Sequence, residues 1–266
     1  MKANKRPLIL VSNDDGVSAK GLKNLIEVVK PYGDIVVVAP ETAKSGMSHA
    51  ISFKNPIRLN KVEEYDNVKI YSCSGTPADC VKLALNQVVD RKPDYLVSGI
   101  NHGSNASISV IYSGTMGAAI EGCLNGIQSI GFSILSHSLD ADFALAKKYS
   151  QQIFEKVMEK GLPKGICLNV NFPVIDIDEL EGFKVCRQAQ GVWKEEFDKR
   201  VDPNNKDYYW LTGNFNNFEP DAEDTDEWAL RNNYASIVPI KVDFTSYGTI
   251  EEMKEKGFEK SLIKVN

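Results

Sequence analysis

The chain lacks the patterns that mark several common classes of protein. No apolar run approaches the ~18 residues of a membrane-spanning helix, and no Cys-x-x-C pair indicates a zinc or redox site. The net charge of -5 gives no general support to binding of nucleic acid or membranes, which would require a basic face. The motif G-x-x-x-x-G-K-S/T is absent, and no G-x-G-x-x-G follows the first apolar run. The sequence therefore supports neither P-loop ATP hydrolysis nor dinucleotide redox chemistry.

Cysteine is scarce, and its placement argues against disulfides. The chain has 5 cysteines, an odd number at wide spacing: Cys73, Cys80, Cys123, Cys167 and Cys186. Most lie in apolar segments, so we expect reduced thiols in the core. The apolar run 8–11 near the N-terminus is too short for the core of a signal peptide. These features predict a cytoplasmic protein.

Strand-like and helix-like segments alternate along the first two-thirds of the chain. The aliphatic runs 8–11 and 35–39 are typical of strands buried on both faces, and apolar residues at helical spacing lie between them. Further strands are predicted at 68–72, 95–98, 130–135 and 166–170. This alternation predicts an α/β fold with a Rossmann-like, doubly wound and mainly parallel sheet.

The alternation ends after about Pro173, and the following segment is rich in aromatic and charged residues. We predict one domain, 1–266, with a core at 1–184 and a hairpin-rich extension at 185–266. The aromatic side chains of the extension carry more apolar surface than a solvated loop would retain: Trp193, Phe197, Tyr208, Tyr209, Trp210, Phe215 and Phe218. Burial against another subunit would resolve this conflict, so we expect the extension to act in oligomerisation.

Two adjacent carboxylates follow the first predicted strand, in the sequence Asn13-Asp14-Asp15-Gly16. Ligands of such sheets bind beyond the carboxyl ends of the strands, which is where Asp14 and Asp15 would lie. Converging carboxylates favour a hard cation such as Mg2+ or Mn2+. Because Asn, Asp and Gly are also the usual residues of turns, a simple turn before the next helix is the alternative.

Three more loops are expected at the same edge of the sheet. The segment 40–49 offers Lys44, Ser45, Ser48 and His49, and the segment 98–105 offers Asn101 and Asn105 between glycines. The segment 112–122 is a small-residue turn into a helix, whose exposed N–H groups would suit a phosphate. Each loop alone is more often plain loop than site, and only their joint position favours a function.

These segments together closely resemble the survival protein E family of 5'-nucleotidases. The resemblance runs in order through nearly the whole chain and rests on segments 13–16, 39–49, 75–81, 98–105, 113–115, 208–210, 225–226 and 234–240. It implies a metal-dependent phosphatase for nucleoside 5'-monophosphates. It also implies a C-terminal extension exchanged between subunits, which gives homodimers or homotetramers. The segment 188–192 departs from the more basic pattern of relatives, which puts any secondary activity on polyanions in doubt.

The resemblance also implies site residues. One divalent cation per subunit would be held at the positions of Asp14, Asp15, Ser45 and Asn101, and such a cage leaves positions open for water and a phosphate oxygen. The rest of the phosphoryl group would be held by Asn105, Ser113, Gly114 and Thr115. Asp14 or Asp15 would either orient a metal-bound water or attack phosphorus directly. His49 and His102 are candidate proton donors, although each could equally be a structural histidine.

Other functions fit the sequence less well. A signalling receiver domain would need a phospho-accepting Asp at the end of a middle strand, where this chain has Val97-Ser98-Gly99. A haloacid-dehalogenase-like phosphatase would need Asp-x-Asp after the first strand, and the spacing here is wrong. A catalytically silent nucleotide-binding or interaction protein on this scaffold is the remaining alternative. Phosphate release with and without EDTA would distinguish it from an enzyme.

Overall fold

The computed structural model describes residues 5–138 and 140–259, so the ends of the predicted ranges, 1–4 and 260–266, lie outside the described residues. The first half of the described chain forms β1 (Leu8–Ser12), α1 (Lys20–Val29), β2 (Asp34–Pro40), β3 (Leu59–Tyr65), β4 (Val68–Cys73), α2 (Pro77–Leu83), β5 (Tyr95–His102) and α3 (Gly114–Leu124). The second half forms β6 (Gln128–Ile134), α4 (Ala144–Lys160), β7 (Ile166–Phe172), β8 (Gly182–Val185), β9 (Gly191–Val201), β10 (Asp207–Asn217), α5 (Asp226–Arg231), β11 (Tyr234–Lys241) and α6 (Tyr247–Glu255). A 3-10 helix, Ser107–Ile111, precedes α3.

One nine-stranded sheet has the order β3-β4-β2-β1-β5-β6-β7-β11-β8. The strands from β4 to β7 run parallel, which confirms the predicted doubly wound sheet. Two strands depart from the predicted pattern, because β3 pairs antiparallel with β4 and β11 pairs antiparallel with β7. Most side chains of β3 are exposed, so it has no apolar run that would mark it in the sequence.

Helices cover both faces of the sheet around β1, the fourth of its nine strands. Ile9 and Val11 of β1 pack in the core beneath α1 and α4, and Leu8 and Leu10 pack in the core beneath α2 and α3. Successive side chains of a strand point to opposite faces, and here both faces are buried. Because both faces of β1 are buried, all of its side chains on either face are apolar from Leu8 to Val11.

The predicted hairpin of the extension is present as β9 and β10, a separate antiparallel pair of 11 residues each. Much of its aromatic surface is open to solvent in the single chain, as at Phe197, Tyr209 and Trp210. The five cysteines are buried and free, as predicted. In the described ranges, no helix is both long and apolar enough to span a membrane.

Strand β5 continues beyond the predicted end at residue 98 and reaches His102. Its pairing with β6 shifts register between Ser98 and Asn101, as it does at a β-bulge. The prediction that Asn101 lies in a loop is therefore wrong. Beyond the bulge, Asn101 pairs with Ser133 and His102 pairs with Ile134, so Asn101 lies near the carboxyl end of the strand.

The close contact between α1 and β5 can be tested by adding one methyl group to Gly21 of α1. A Cβ at Gly21 would lie 1.9 Å from the carbonyl oxygen of Ile100. We expect Gly21→Ala to lower stability by about 1–3 kcal/mol, since neither backbone can move without disturbing the sheet. Thermal unfolding followed by circular dichroism should show a melting temperature lower by several degrees.

The matched control for this variant is Gly248→Ala in α6, where a new Cβ would have nothing within 4 Å. Alanine is the better helix former, so this variant should melt at the wild-type temperature or slightly above it. Equal melting temperatures for the two variants would contradict the close contact of α1 with Ile100.

Candidate functional site

The carboxyl ends of β1, β2 and β5 meet at one edge because β1 lies between the other two strands. A cavity of about 620 Å³ opens at this edge. Its wall contains five of the predicted site residues: Asp14, Ser45, Asn101, Asn105 and Ser113. Residues that are far apart in the chain are thus brought to one cavity by the strand order.

Asp14 is the most buried charged group of the cavity, with 3% of its surface exposed. The pKa of its carboxyl is raised to about 6: burial raises the pKa most, a hydrogen bond from Thr115 lowers it, and the charge of the neighbouring Asp15 raises it. That hydrogen bond is donated by Thr115 Oγ1 to Asp14 Oδ1. A Cβ at Gly114 would lie 2.8 Å from the Cβ of Asp14. Glycine at this position therefore lets the start of α3 lie directly against the carboxylate.

Asp15 lies beside Asp14 and is held by His102. The backbone N–H of His102 donates to Asp15 Oδ2 over 3.2 Å, and His102 Nδ1 lies 3.3 Å from the same oxygen. The imidazole also packs edge-on against Phe143, with the ring centroids 5.0 Å apart. Its Nε2 is buried and has no hydrogen-bond partner among the described residues. The arrangement suits His102 to orient Asp15.

Asn101 and Ser45 present oxygen atoms to the cavity from two different elements. Asn101 Nδ2 donates to the carbonyl oxygen of Gly103 over 2.8 Å, which leaves the amide oxygen available as a ligand. Ser45 lies in the exposed loop after β2. The loop is tied to the first strand because Lys44 N donates to the carbonyl oxygen of Asp14 over 2.7 Å.

His49 anchors the other end of the Ser45 loop. Its Nε2 lies 2.9 Å from Glu121 Oε2, and Lys82 Nζ donates to Glu121 Oε1 over 2.9 Å. Burial acts to raise the pKa of Glu121, but hydrogen bonds and charge from His49 and Lys82 outweigh it and lower the pKa to about 2. His49 is not among the residues of the cavity wall, so its contacts fit the structural alternative for this histidine.

The predicted phosphate-binding residues divide into two layers. Ser113 and Asn105 lie on the cavity wall. The side chain of Thr115 is not on the wall; it is fully buried and donates a hydrogen bond to Asp14. The Ser113 hydroxyl caps α3 by accepting from Met116 N over 3.0 Å. Asn105 is fixed by Nδ2 donating to Ser133 Oγ and by its backbone N–H donating to Asn171 Oδ1, each over 2.8 Å.

The donor set fits a hard divalent cation. Asp14, Asp15, Ser45 and Asn101 together offer carboxylate, hydroxyl and amide oxygens. Across the described residues, no lysine or arginine contributes to the pKa of Asp14, which burial raises. No group of three His, Cys, Asp or Glu side chains suited to a metal occurs in the described chain.

Several cavity residues were not found from the sequence. His137 follows β6, lies exposed on the wall and packs against Gly103. Its position just beyond a parallel strand is the signal that could have identified it. The hairpin contributes four further wall residues: Trp193, Leu211, Thr212 and Gly213. Nothing in their local sequence indicates that the hairpin folds back over the cavity.

Comparison with known proteins gives a consistent assignment. The sequence model of the family described as "Survival protein SurE" matches residues 9–195. The protein named 5'-nucleotidase SurE from Phocaeicola vulgatus is 51% identical over 255 residues, which is 96% of this chain and 98% of that protein. The protein of the same name from Flavobacterium johnsoniae is 53% identical over 251 residues, covering 94% and 96%.

A solved structure shows the same fold. The crystal structure of the SurE protein from Aquifex aeolicus matches with a TM-score of 0.81 at 36% identity. The match covers 94% of this chain and 99% of that one. The family resemblance predicted from the sequence motifs is thereby confirmed, and this chain belongs to the survival protein SurE family.

Proposed function

We propose that this chain is a 5'-nucleotidase, a phosphomonoesterase that hydrolyses nucleoside 5'-monophosphates to nucleoside and phosphate. The observation that carries the proposal is the convergence of Asp14, Asn101 and Ser113 on one cavity at the edge of the sheet. A carboxylate and a helix N-terminus at one cavity are parts that phosphoryl transfer uses. The relatives named 5'-nucleotidase SurE, which match along nearly the whole chain, support the same activity.

We propose that Asp14, Asp15, Ser45 and Asn101 hold one divalent cation per subunit, with Mg2+ or Mn2+ as the expected metal. When bound, such a cation supplies charge that stabilises the phosphoryl oxygens of the transition state. The fixed contacts of Asp14 with Thr115, and of Asp15 with His102, keep both carboxylates in place. Preorganised ligands of this kind do not have to be reoriented at the moment of reaction.

We assign phosphate binding to Asn105, Ser113, Gly114 and Thr115. Asn105 and Ser113 present side chains on the cavity wall, and Gly114 and Thr115 provide the backbone N–H groups at the start of α3. A helix start favours an anion because its first N–H groups lack partners within the helix. The Thr115 hydroxyl, in contrast, serves Asp14.

We also propose a cytoplasmic location. All five cysteines are free and buried, a state that a reducing compartment preserves. Secreted protein carrying intramolecular disulfides would contradict this location.

The first prediction for the proposed activity concerns the two carboxylates. We expect Asp14→Asn and Asp15→Asn each to reduce phosphate release from a nucleoside 5'-monophosphate by ~100-fold or more, because each variant removes charge from the metal site. Release of inorganic phosphate at saturating Mn2+ is the measurement. Asp90→Asn, at an exposed position, is the matched control and should keep wild-type activity. Near-wild-type turnover by either site variant would remove that residue from the mechanism.

The second prediction separates metal binding from phosphate binding at Thr115. We expect Thr115→Val to raise the Mn2+ concentration for half-maximal activity, since the Asp14 carboxylate loses its hydrogen-bond donor. Thr115→Ser keeps a hydroxyl and should restore the wild-type Mn2+ dependence. A valine variant with a raised Michaelis constant and unchanged Mn2+ dependence would instead place the hydroxyl on the phosphate.

The third prediction concerns assembly. We propose a homodimer or homotetramer, supported by the exposed aromatic residues of the hairpin and by α6, a helix with no buried residue in the single chain. Replacing residues 190–221 by a short Gly-Ser bridge should give smaller species by light scattering. Circular dichroism should show that the sheet stays folded. An unchanged mass, or a monomeric wild-type protein, would refute the role of the extension in assembly.

A further inference from the structure

We infer that the face of Trp193, together with Tyr112, forms a nucleobase subsite within the cavity, an inference that rests on the proposed 5'-nucleotidase function. Both aromatic side chains line the same cavity as Asp14. Tyr112 is 50% exposed and Trp193 is 37% exposed, so each ring keeps surface available to a ligand. Aromatic faces bind bases by stacking, which every nucleobase permits.

The indole of Trp193 is held in position by two contacts. Its Nε1 donates to Ser109 Oγ over 3.2 Å, which satisfies the polar atom of the ring. Across the hairpin, Trp193 is paired with Phe215, and the two ring centroids lie 6.0 Å apart at a tilt of 59°. A ring that is already fixed loses little conformational entropy when a ligand stacks on it.

The base of the hairpin is tied to the phosphate-binding loop, which fixes the distance between the two parts of a substrate. Asp226 is buried and accepts from Ser107 N over 2.8 Å and from Ala189 N over 2.9 Å. Ser107 Oγ also donates to the carbonyl oxygen of Ala189 over 2.8 Å. Ser107 is two residues from Asn105, and Ala189 is four residues from Trp193. The phosphate site and the aromatic wall are therefore parts of one rigid unit.

The remaining wall residues indicate which nucleotides fit. Leu211 and Gly213 of β10 add apolar and small surface beside Trp193. Among the described residues that line the cavity, none is a lysine or an arginine that could bind a second phosphate. Stacking increases with ring area and reads no hydrogen-bond pattern. The subsite therefore favours purine over pyrimidine monophosphates, without selecting between adenine and guanine.

The kinetic test compares substrates with and without a base. Wild type, Trp193→Ala and Trp193→Phe are assayed with AMP, CMP and ribose 5-phosphate. We expect Trp193→Ala to raise the Michaelis constant about tenfold for AMP and less for CMP, with kcat/KM for ribose 5-phosphate unchanged. Trp193→Phe should recover most of the loss. Trp210→Ala, which removes a hairpin tryptophan outside the cavity wall, is the matched control and should leave AMP kinetics unchanged.

Binding of adenosine tests the subsite independently of turnover. By isothermal titration calorimetry, Trp193→Ala should weaken adenosine binding by about tenfold, and light scattering of each variant should show the wild-type mass. Unchanged adenosine affinity, or an equal loss of kcat/KM for AMP and ribose 5-phosphate, would overturn the inference. If no ester is hydrolysed but adenosine binding depends on Trp193, the subsite stands and the proposed nucleotidase activity fails.

Discussion

The carboxylate of Asp14, just beyond the end of β1, is buried and therefore needs hydrogen bonds to stabilise its charge. Asp14 meets this constraint through the Thr115 hydroxyl and through the start of α3, which can approach because residue 114 has no side chain. Burying a charge is costly unless hydrogen bonds or a counter-charge accompany it. The hydrogen bond from Thr115 and the close approach at residue 114 hold the start of α3 against Asp14, which places the proposed phosphate site beside the proposed cation site.

Much of the fold could be predicted from the sequence because β1 and its parallel neighbours are buried on both faces and appear as apolar runs. The ends of these runs located Asp14, Asp15 and Asn101. Strand β3 escaped prediction because most of its side chains are exposed. Strand β11 escaped because it follows the hairpin, after the regular alternation of strands and helices has ended. The cavity role of Trp193 also escaped, because it arises from the fold-back of the hairpin and not from any local spacing.

The three histidines show why residue type alone could not assign roles. In the sequence, His49 and His102 both follow a strand and both look able to transfer a proton. The structure gives them different environments: His49 contacts Glu121 away from the cavity, and His102 contacts Asp15 at the cavity. His137 follows no motif in the sequence, and yet it lies exposed on the cavity wall. Partners that come from distant segments decide the environment of each ring.

The hairpin enters and leaves the domain at almost the same point. Val185 of β8 pairs with Ile237 of β11 in the sheet, and an isolated bridge joins Arg187 to Thr225. These pairings hold the two ends of the intervening segment together. The entropic cost of lengthening a closed loop grows slowly with its length. Insertions, deletions or exchanges in this segment are therefore tolerated by the sheet. Evolution can therefore remodel the cavity wall that the hairpin forms while the sheet edge that carries Asp14 stays unchanged.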